Sequence, residues 1–350
     1  MTAKALVAGC LGMSGQAMME HLATLEDWSA VGISRRRPEG DPPYTHLALD
    51  LTDPAACRAA LAGHGDITHL FYAARSPRPD PAEEDAVNAR MLETLLDAVE
   101  AAAPGLRHVC LVHGTKWYGC QVTGFYETPA REDDPGHLPP NFYLTQQRAI
   151  ARRQTGKGWT WSALRPHHIC GASLGYGYNL LAMIAVYAVV SRELGLPLRF
   201  PGTEACYRSL SQATDARILA KAMVWAATTP ACANEAFNIV NGDLYRYCHL
   251  WPKIAEFFDM EVGPVQPIRL ARVMADKAPL WDEIVAKHGL RPTPFVDIGS
   301  WVSADTRLAY DQDDISALHK CQSRGFFEVM DSEDMFLDIF ARLRAERIIP

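Results

Sequence analysis

Apolar residues recur along this chain with two spacings, and the change between them divides it. In the first half, short apolar runs alternate with stretches whose apolar positions fall three or four apart. Residues 5–8, 30–33, 46–49, 67–72, 108–112 and 161–164 read as strands. Between them, 16–25 (Met18, Leu22 and Leu25 on one face), 84–103 and 141–153 read as helices. Alternation of this kind predicts right-handed crossovers and a doubly wound parallel sheet, an α/β fold. After Gly171 helical periodicity dominates, over 179–194, 215–228, 250–258 and 270–288, with Gly195-Leu196-Pro197 and Pro201-Gly202 as interruptions. Residues 236–240 read as a late strand returning to the main sheet. The expected organisation is a first region, 1–171, and a smaller, mainly helical region, 172–350. The second is expected over the C-terminal edge of the sheet, where ligands bind in open α/β folds.

Composition narrows the function. The chain has 350 residues, 48% hydrophobic and 21% charged, with a formal net charge of −7. An acidic chain is a poor match for a nucleic-acid partner, which favours a basic surface. The longest apolar run, 180–190, is eleven residues. A membrane span needs ~20, so a buried helix is the reading there. Nine cysteines are scattered without a CxxC pair, and the N-terminus has no signal-peptide pattern, so a reducing cytoplasm is expected. The twelve histidines form no HExxH-type cluster. His167-His168, adjacent on an extended segment, point to opposite faces, so no metal site is expected. Oligomeric state stays open, a homodimer included.

The chemistry begins at residues 7–15, VAGCLGMSG. Gly9, Gly12 and Gly15 form a GxxGxxG pattern after a strand and at the opening of a helix, the context that makes a nucleotide fingerprint of the Rossmann type. Gly9 permits the tight turn, Gly12 lets a pyrophosphate approach, and Gly15 lets helix and strand pack; Leu11 and Met13 fill the loop. The next strand ends in Ser34-Arg35-Arg36, where an NAD site usually carries an acid. Guanidinium groups there favour a 2′-phosphate, and hence NADP(H). Asp50-Leu51 after the third strand is placed for the adenine, and Ala73-Ala74 after the fourth for the ribose.

Short-chain dehydrogenases carry Tyr-x-x-x-Lys on a helix and a Ser or Thr after the fifth strand. Here Tyr143 opens a helix, but position 147 is Gln, and the hydroxyl position after the strand is Gly114. The loop reads HGTKWYG, residues 113–119, and Lys116 stands in it. An unperturbed phenol titrates near ~10, and a nearby cation lowers that value. Lys116 is positioned to supply that charge from the loop.

Taken together, these residues resemble the progesterone 5β-reductase/iridoid synthase-like reductases, an atypical branch of the extended short-chain dehydrogenases. The resemblance runs through GxxGxxG, Arg35-Arg36, GTKWYG, Pro140-Asn141-Phe142-Tyr143, RPHHICG (165–171) with Asn179, FNIVNGD (237–243) and Ser323-Arg324-Gly325-Phe326. It implies NADPH-dependent 1,4-reduction of an enone or enal, a small molecule, with Tyr143 and Lys116 stabilising the enolate. His113, Gly114, Pro166 and Ile169 would border the cofactor. Arg75, Trp117, Phe142, Asn179 and Phe326 would line the substrate pocket. The chain departs from the family at Leu144 and Gln147-Arg148, where an aromatic and an acidic pair are common, and at Arg75, where a Trp is common. A polar Arg75 puts a steroid substrate in doubt more than the chemistry, and suits a carboxylate or phosphate. The alternatives are an NADP-dependent carbonyl reductase or epimerase, and a non-catalytic NADP(H)-binding regulator.

Overall fold

The computed structural model describes residues 2–120, 126–174 and 177–350. In chain order its strands are β1 (Ala3–Ala8), β2 (Trp28–Ser34), β3 (Thr45–Ala48), β4 (His69–Tyr72), β5 (His108–Val112), β6 (Thr160–Pro166), β7 (His168–Cys170), β8 (Ala213–Asp215) and β9 (Glu235–Ile239). The longer helices are α1 (Met13–Leu22), α2 (Pro54–Leu61), α3 (Pro81–Ala102), α4 (Phe142–Gln154), α5 (Leu180–Glu193), α6 (Ala216–Thr228), α7 (Tyr247–Phe257), α8 (Ala278–His288) and α9 (Ser332–Ala345).

The chain forms two compact units. One comprises residues 1–167, 216–239 and 317–327; the other comprises 168–215, 240–316 and 328–350. The first holds a seven-stranded sheet of order β3-β2-β1-β4-β5-β6-β9, parallel throughout. This is the Rossmann-type α/β architecture. Strands buried on both faces explain the continuous apolar runs: Ala5 to Ala8 and His69 to Tyr72 are all buried. Helix α1 packs against α6, while α2, α3 and α4 pack in succession against one another. The late strand returns to the sheet as expected, β9 pairing with β6 from Ser162–Glu235 to Pro166–Ile239.

Strand order reverses between β1 and β4, and such a switch point opens a crevice at the strands' C-terminal ends. Glycine is required there. Gly9 has φ +83°, and a Cβ on it would stand 2.9 Å from the Ala73 carbonyl. A Cβ on Gly15 would stand 2.1 Å from the Gly9 carbonyl oxygen.

The second unit is built on α5, whose residues 180–191 are all buried. Its apolar circumference meets α8 and α9, and β7 pairs with β8 beside it. No helix among the described residues is long and apolar enough to cross a membrane. One expected helix, 270–288, is two: a short turn over Leu270–Val273, then α8. Pro279 lies in the first turn of α8 and cannot continue a helix arriving from before it. Helix α1 begins at Met13, three residues before the expected start. Glycine at its N-cap leaves no side-chain signal there.

Gly15→Ala should lower the unfolding midpoint by forcing α1 off β1, at a cost of about 1–3 kcal/mol or more. Thermal melting checks this; a melt like that of the parent would contradict the close approach.

Candidate active site

The first unit gathers the site at the C-terminal ends of β1, β2, β4 and β5. Gly12 is the N-cap of α1 and makes no side-chain cap bond, so the free N–H groups of the first turn are left for another acceptor. Together with the two glycine approaches, this is a cradle that fits a pyrophosphate. Leu11 is half-buried and Met13 buried beside it. Arg35, Arg36 and Arg37 follow β2 and are exposed. Ser34 Oγ donates to the Arg36 carbonyl (2.7 Å), which shapes that loop, and lies 2.7 Å from His46 Nε2. His46 is thus a neighbour of the basic loop that the sequence reading used only as a strand residue. Burial, and then Arg37, hold its pKa below the usual imidazole value. Asp50 accepts from the Thr52 N–H and hydroxyl, and these bonds lower its carboxyl pKa, with Arg35 adding to the effect. Leu51 is buried, and Ala73 and Ala74 are half-buried under Gly9.

The second half of the site stands after β5. Its strand runs straight into a 3-10 turn, Thr115–Tyr118, closed by Gly119 at φ +97°. Asn141 joins this turn to α4. Its Nδ2 donates to the Lys116 carbonyl (2.9 Å) and its Oδ1 accepts the Tyr143 N–H (3.2 Å) as the helix N-cap. One buried amide therefore fixes the backbones of both Lys116 and Tyr143.

The Tyr143 hydroxyl reaches Gly114: a Cβ there would lie 3.6 Å from it and 3.4 Å from the Pro166 carbonyl. A Cβ at 114 would be in ordinary van der Waals contact with that phenol. The Tyr143 ring stacks on His113 (4.7 Å), and His113 lies parallel to Trp117. Burial, aided by Arg165, pushes the His113 pKa down to about 3. At that value the imidazole is neutral at physiological pH.

Lys116 is 9% exposed, and its Nζ donates to Glu84 Oε2 at 2.8 Å. The other oxygen, Oε1, accepts from Arg75 Nη2 (2.8 Å) and Nε (3.2 Å). Both cations lie over the Phe142 ring, at 4.9 Å and 5.4 Å from its centroid. Burial raises the Glu84 carboxyl pKa, but Lys116 and Arg75 outweigh it and hold the value below normal. The sequence reading missed Glu84. One turn into α3, an acid reads as an ordinary complement to the helix dipole.

Gln147 also finds a partner. Its Oε1 accepts from Arg165 Nη2 (3.2 Å), a guanidinium that is 1% exposed, bonded to the Tyr118 hydroxyl and the Glu132 carbonyl, and 3.8 Å above the Trp117 ring. A lysine at 147 would meet that cation. This gives a physical reason for the missing Tyr-x-x-x-Lys lysine.

Two of the expected pocket residues make contacts of their own. Phe326 packs on Trp225 of α6 (5.1 Å). Asn179, in the second unit, caps α5 through the Ala182 N–H and donates to the carbonyls of Gly171 and Ser173, so its amide is committed to the backbone. Ile169 lies in β7, paired with Thr214. No metal-binding group occurs among the described residues.

Known proteins resemble this chain in sequence and in fold. The profile of the PRISE-like Rossmann-fold domain matches residues 52–350. The chain belongs to this family. An (S)-8-oxocitronellyl enol synthase of Nepeta racemosa is 35% identical over 99% of this chain and 91% of its own length. A 3-oxo-Δ4,5-steroid 5β-reductase of Arabidopsis thaliana is 32% identical over 99% and 93%. Among solved structures, a UDP-glucose 4-epimerase of Thermotoga maritima superposes with a TM-score of 0.70 at 14% identity, covering 98% of this chain and 99% of that one. A short-chain dehydrogenase/reductase of Agrobacterium tumefaciens gives 0.67 at 18%, covering 99% and 98%. These two show the shared fold. The chain is thus a PRISE-like oxidoreductase.

Two outcomes follow from the charges. Gln147→Lys should cost about 1–3 kcal/mol in a urea melt, since it replaces an acceptor of Arg165 by a like charge; an unchanged midpoint would contradict the contact. Glu84 has a depressed folded-state pKa, so its contribution is present at neutral pH and lost as pH falls below 4.5. On acidification the parent should therefore lose stability more steeply than Glu84→Gln, and parallel curves would contradict the pairing.

Proposed function

We propose that the chain reduces activated C=C bonds of enones or enals with NADPH. The observation that carries the reading is the meeting of the Tyr143 hydroxyl with Gly114, with Asn141 tying the backbones of Tyr143 and of Lys116 in the loop. That arrangement differs from an alcohol dehydrogenase site in the two places that matter, position 114 and position 147. Relatives named as a steroid 5β-reductase and as enol synthases support the same chemistry.

When bound, NADPH would supply hydride to the substrate β-carbon. The remaining work falls to side chains. Negative charge then grows on the substrate carbonyl oxygen, and the Tyr143 hydroxyl donates to it. The positive charge of Lys116 favours the enolate and the phenol's part in carrying the proton. His113, neutral and stacked, fixes the plane of the Tyr143 ring. Gly114 leaves room for the carbonyl oxygen beside the phenol. Preference for the phosphorylated cofactor rests on Ser34-Arg35-Arg36, with His46 adjoining. Arg75 is already bonded twice to Glu84. This favours an uncharged substrate over a carboxylate, which would have to displace that pair. Gly9, Gly12, Gly15, Asp50, Leu51, Ala73, Ala74 and Pro166 belong to the proposed cofactor border.

Turnover of a simple cyclic enone with NADPH tests the reading. Tyr143→Phe and Lys116→Met should each lower kcat about 100-fold with cofactor affinity held within about twofold. Arg35→Ala with Arg36→Ala should weaken NADPH binding about tenfold or more and leave NADH unaffected. No turnover across a panel of enones and enals would overturn the proposal.

A further inference from the structure

The reductase reading employs Lys116 and Tyr143 and leaves the carboxylate beside them without a task. The charges around that ammonium come from several elements. Helix α3 contributes Glu84, the segment after β4 contributes Arg75, and α4 contributes the Phe142 ring. Asp85 is engaged through Oδ2 by the Asn141 N–H (3.1 Å), and Glu83 by Arg78 (3.1 Å). One carboxylate therefore serves two cations, one on each oxygen. The side chains of Lys116, Glu84 and Arg75 are 10%, 7% and 19% exposed, so water screens these contacts little.

The arrangement is also held rigidly. Asn88, one turn further along α3, donates to the carbonyls of Glu84 (2.7 Å) and Ser76 (2.9 Å) and accepts the Ser76 N–H (2.8 Å). The turn that carries Glu84 is thereby locked to the segment that carries Arg75. Asn141 locks the Lys116 backbone in the same corner. Three segments distant in sequence are thus brought to one carboxylate by buried amides.

We propose that Glu84 and Arg75 are a pair of opposed positioning residues that set the charge state and place of Lys116. Glu84 stabilises the ammonium form and draws it over Phe142. Arg75 shares the carboxylate and, as a like charge, works against that form. The balance keeps a buried lysine charged without giving it a counter-ion all its own, so part of its field remains available to the Tyr143 phenol. The role in turnover rests on the enone-reductase reading; the control of lysine titration does not.

The two substitutions should act in opposite directions. Glu84→Gln removes the favourable charge, so Lys116 loses its proton at lower pH. Arg75→Gln removes the like charge and leaves the carboxylate wholly to Lys116, which then keeps its proton to higher pH. The test is the kcat–pH profile with NADPH and a cyclic enone, together with NMR titration of protein labelled with ¹³Cε-lysine. Lys116→Met identifies the resonance. The alkaline limb and the Lys116 titration should both move down by about one pH unit or more in Glu84→Gln, and both up in Arg75→Gln. A general loosening of the fold would move the two variants the same way, and that result, or unchanged titration in both, overturns the proposal. If the parent turns over no enone, the function reading fails and the NMR titration alone decides this inference. If Glu84→Gln does not fold, the direction of Arg75→Gln decides it.

Discussion

A lysine that is 9% exposed needs a counter-charge before it can have any role, and Glu84 provides it at 2.8 Å. Removing one partner of a buried pair typically costs about 3–5 kcal/mol, because the other is left as an unpaired charge. That constraint reaches outward. It gives Glu84, one turn inside α3, a task beyond the helix start that Asp80 and Pro81 set. It explains why Arg75 is drawn in from β4, and why an aromatic face, Phe142, lies under both cations. The dehydrogenase fold normally solves the same electrostatic problem from within one helix, with lysine four residues after tyrosine. This chain solves it between three segments.

The consequence is a division of labour around Tyr143. On one side the phenol stacks on a histidine held neutral by burial; on another its hydroxyl faces a glycine where short-chain dehydrogenases carry a hydroxyl residue. Arg165, which could have been the nearest substitute cation, is committed to Gln147, Tyr118 and a backbone carbonyl. A single general donor with a remote cation suits stabilisation of an enolate oxygen better than removal of an alcohol proton.

What the sequence displayed and what it hid have the same cause. Gly9, Gly12 and Gly15 were legible because backbone geometry leaves few alternatives at a strand-to-helix turn. The strands were legible because a parallel sheet buried on both faces leaves unbroken apolar runs. Lys116 stood out only because Gln147 breaks a familiar spacing. Glu84 did not stand out, since its meaning lies in a contact across 32 residues, and a first-turn acid needs no such contact to be explained. Asn141 looked like an ordinary cap, although its second bond, to the Lys116 carbonyl, couples the two halves of the site. Phe326 and Asn179 show the converse: an aromatic and an amide in family motifs can be absorbed by core packing and helix capping.

The central claim is that hydride goes to carbon beyond the carbonyl while Tyr143 holds its oxygen. The most direct measurement is the position of deuterium in the product after turnover of a cyclic enone with NADPH deuterated at C4. The account predicts a saturated ketone carrying deuterium at the β-carbon. An allylic alcohol carrying deuterium at the former carbonyl carbon would contradict it and would make the chain a carbonyl reductase.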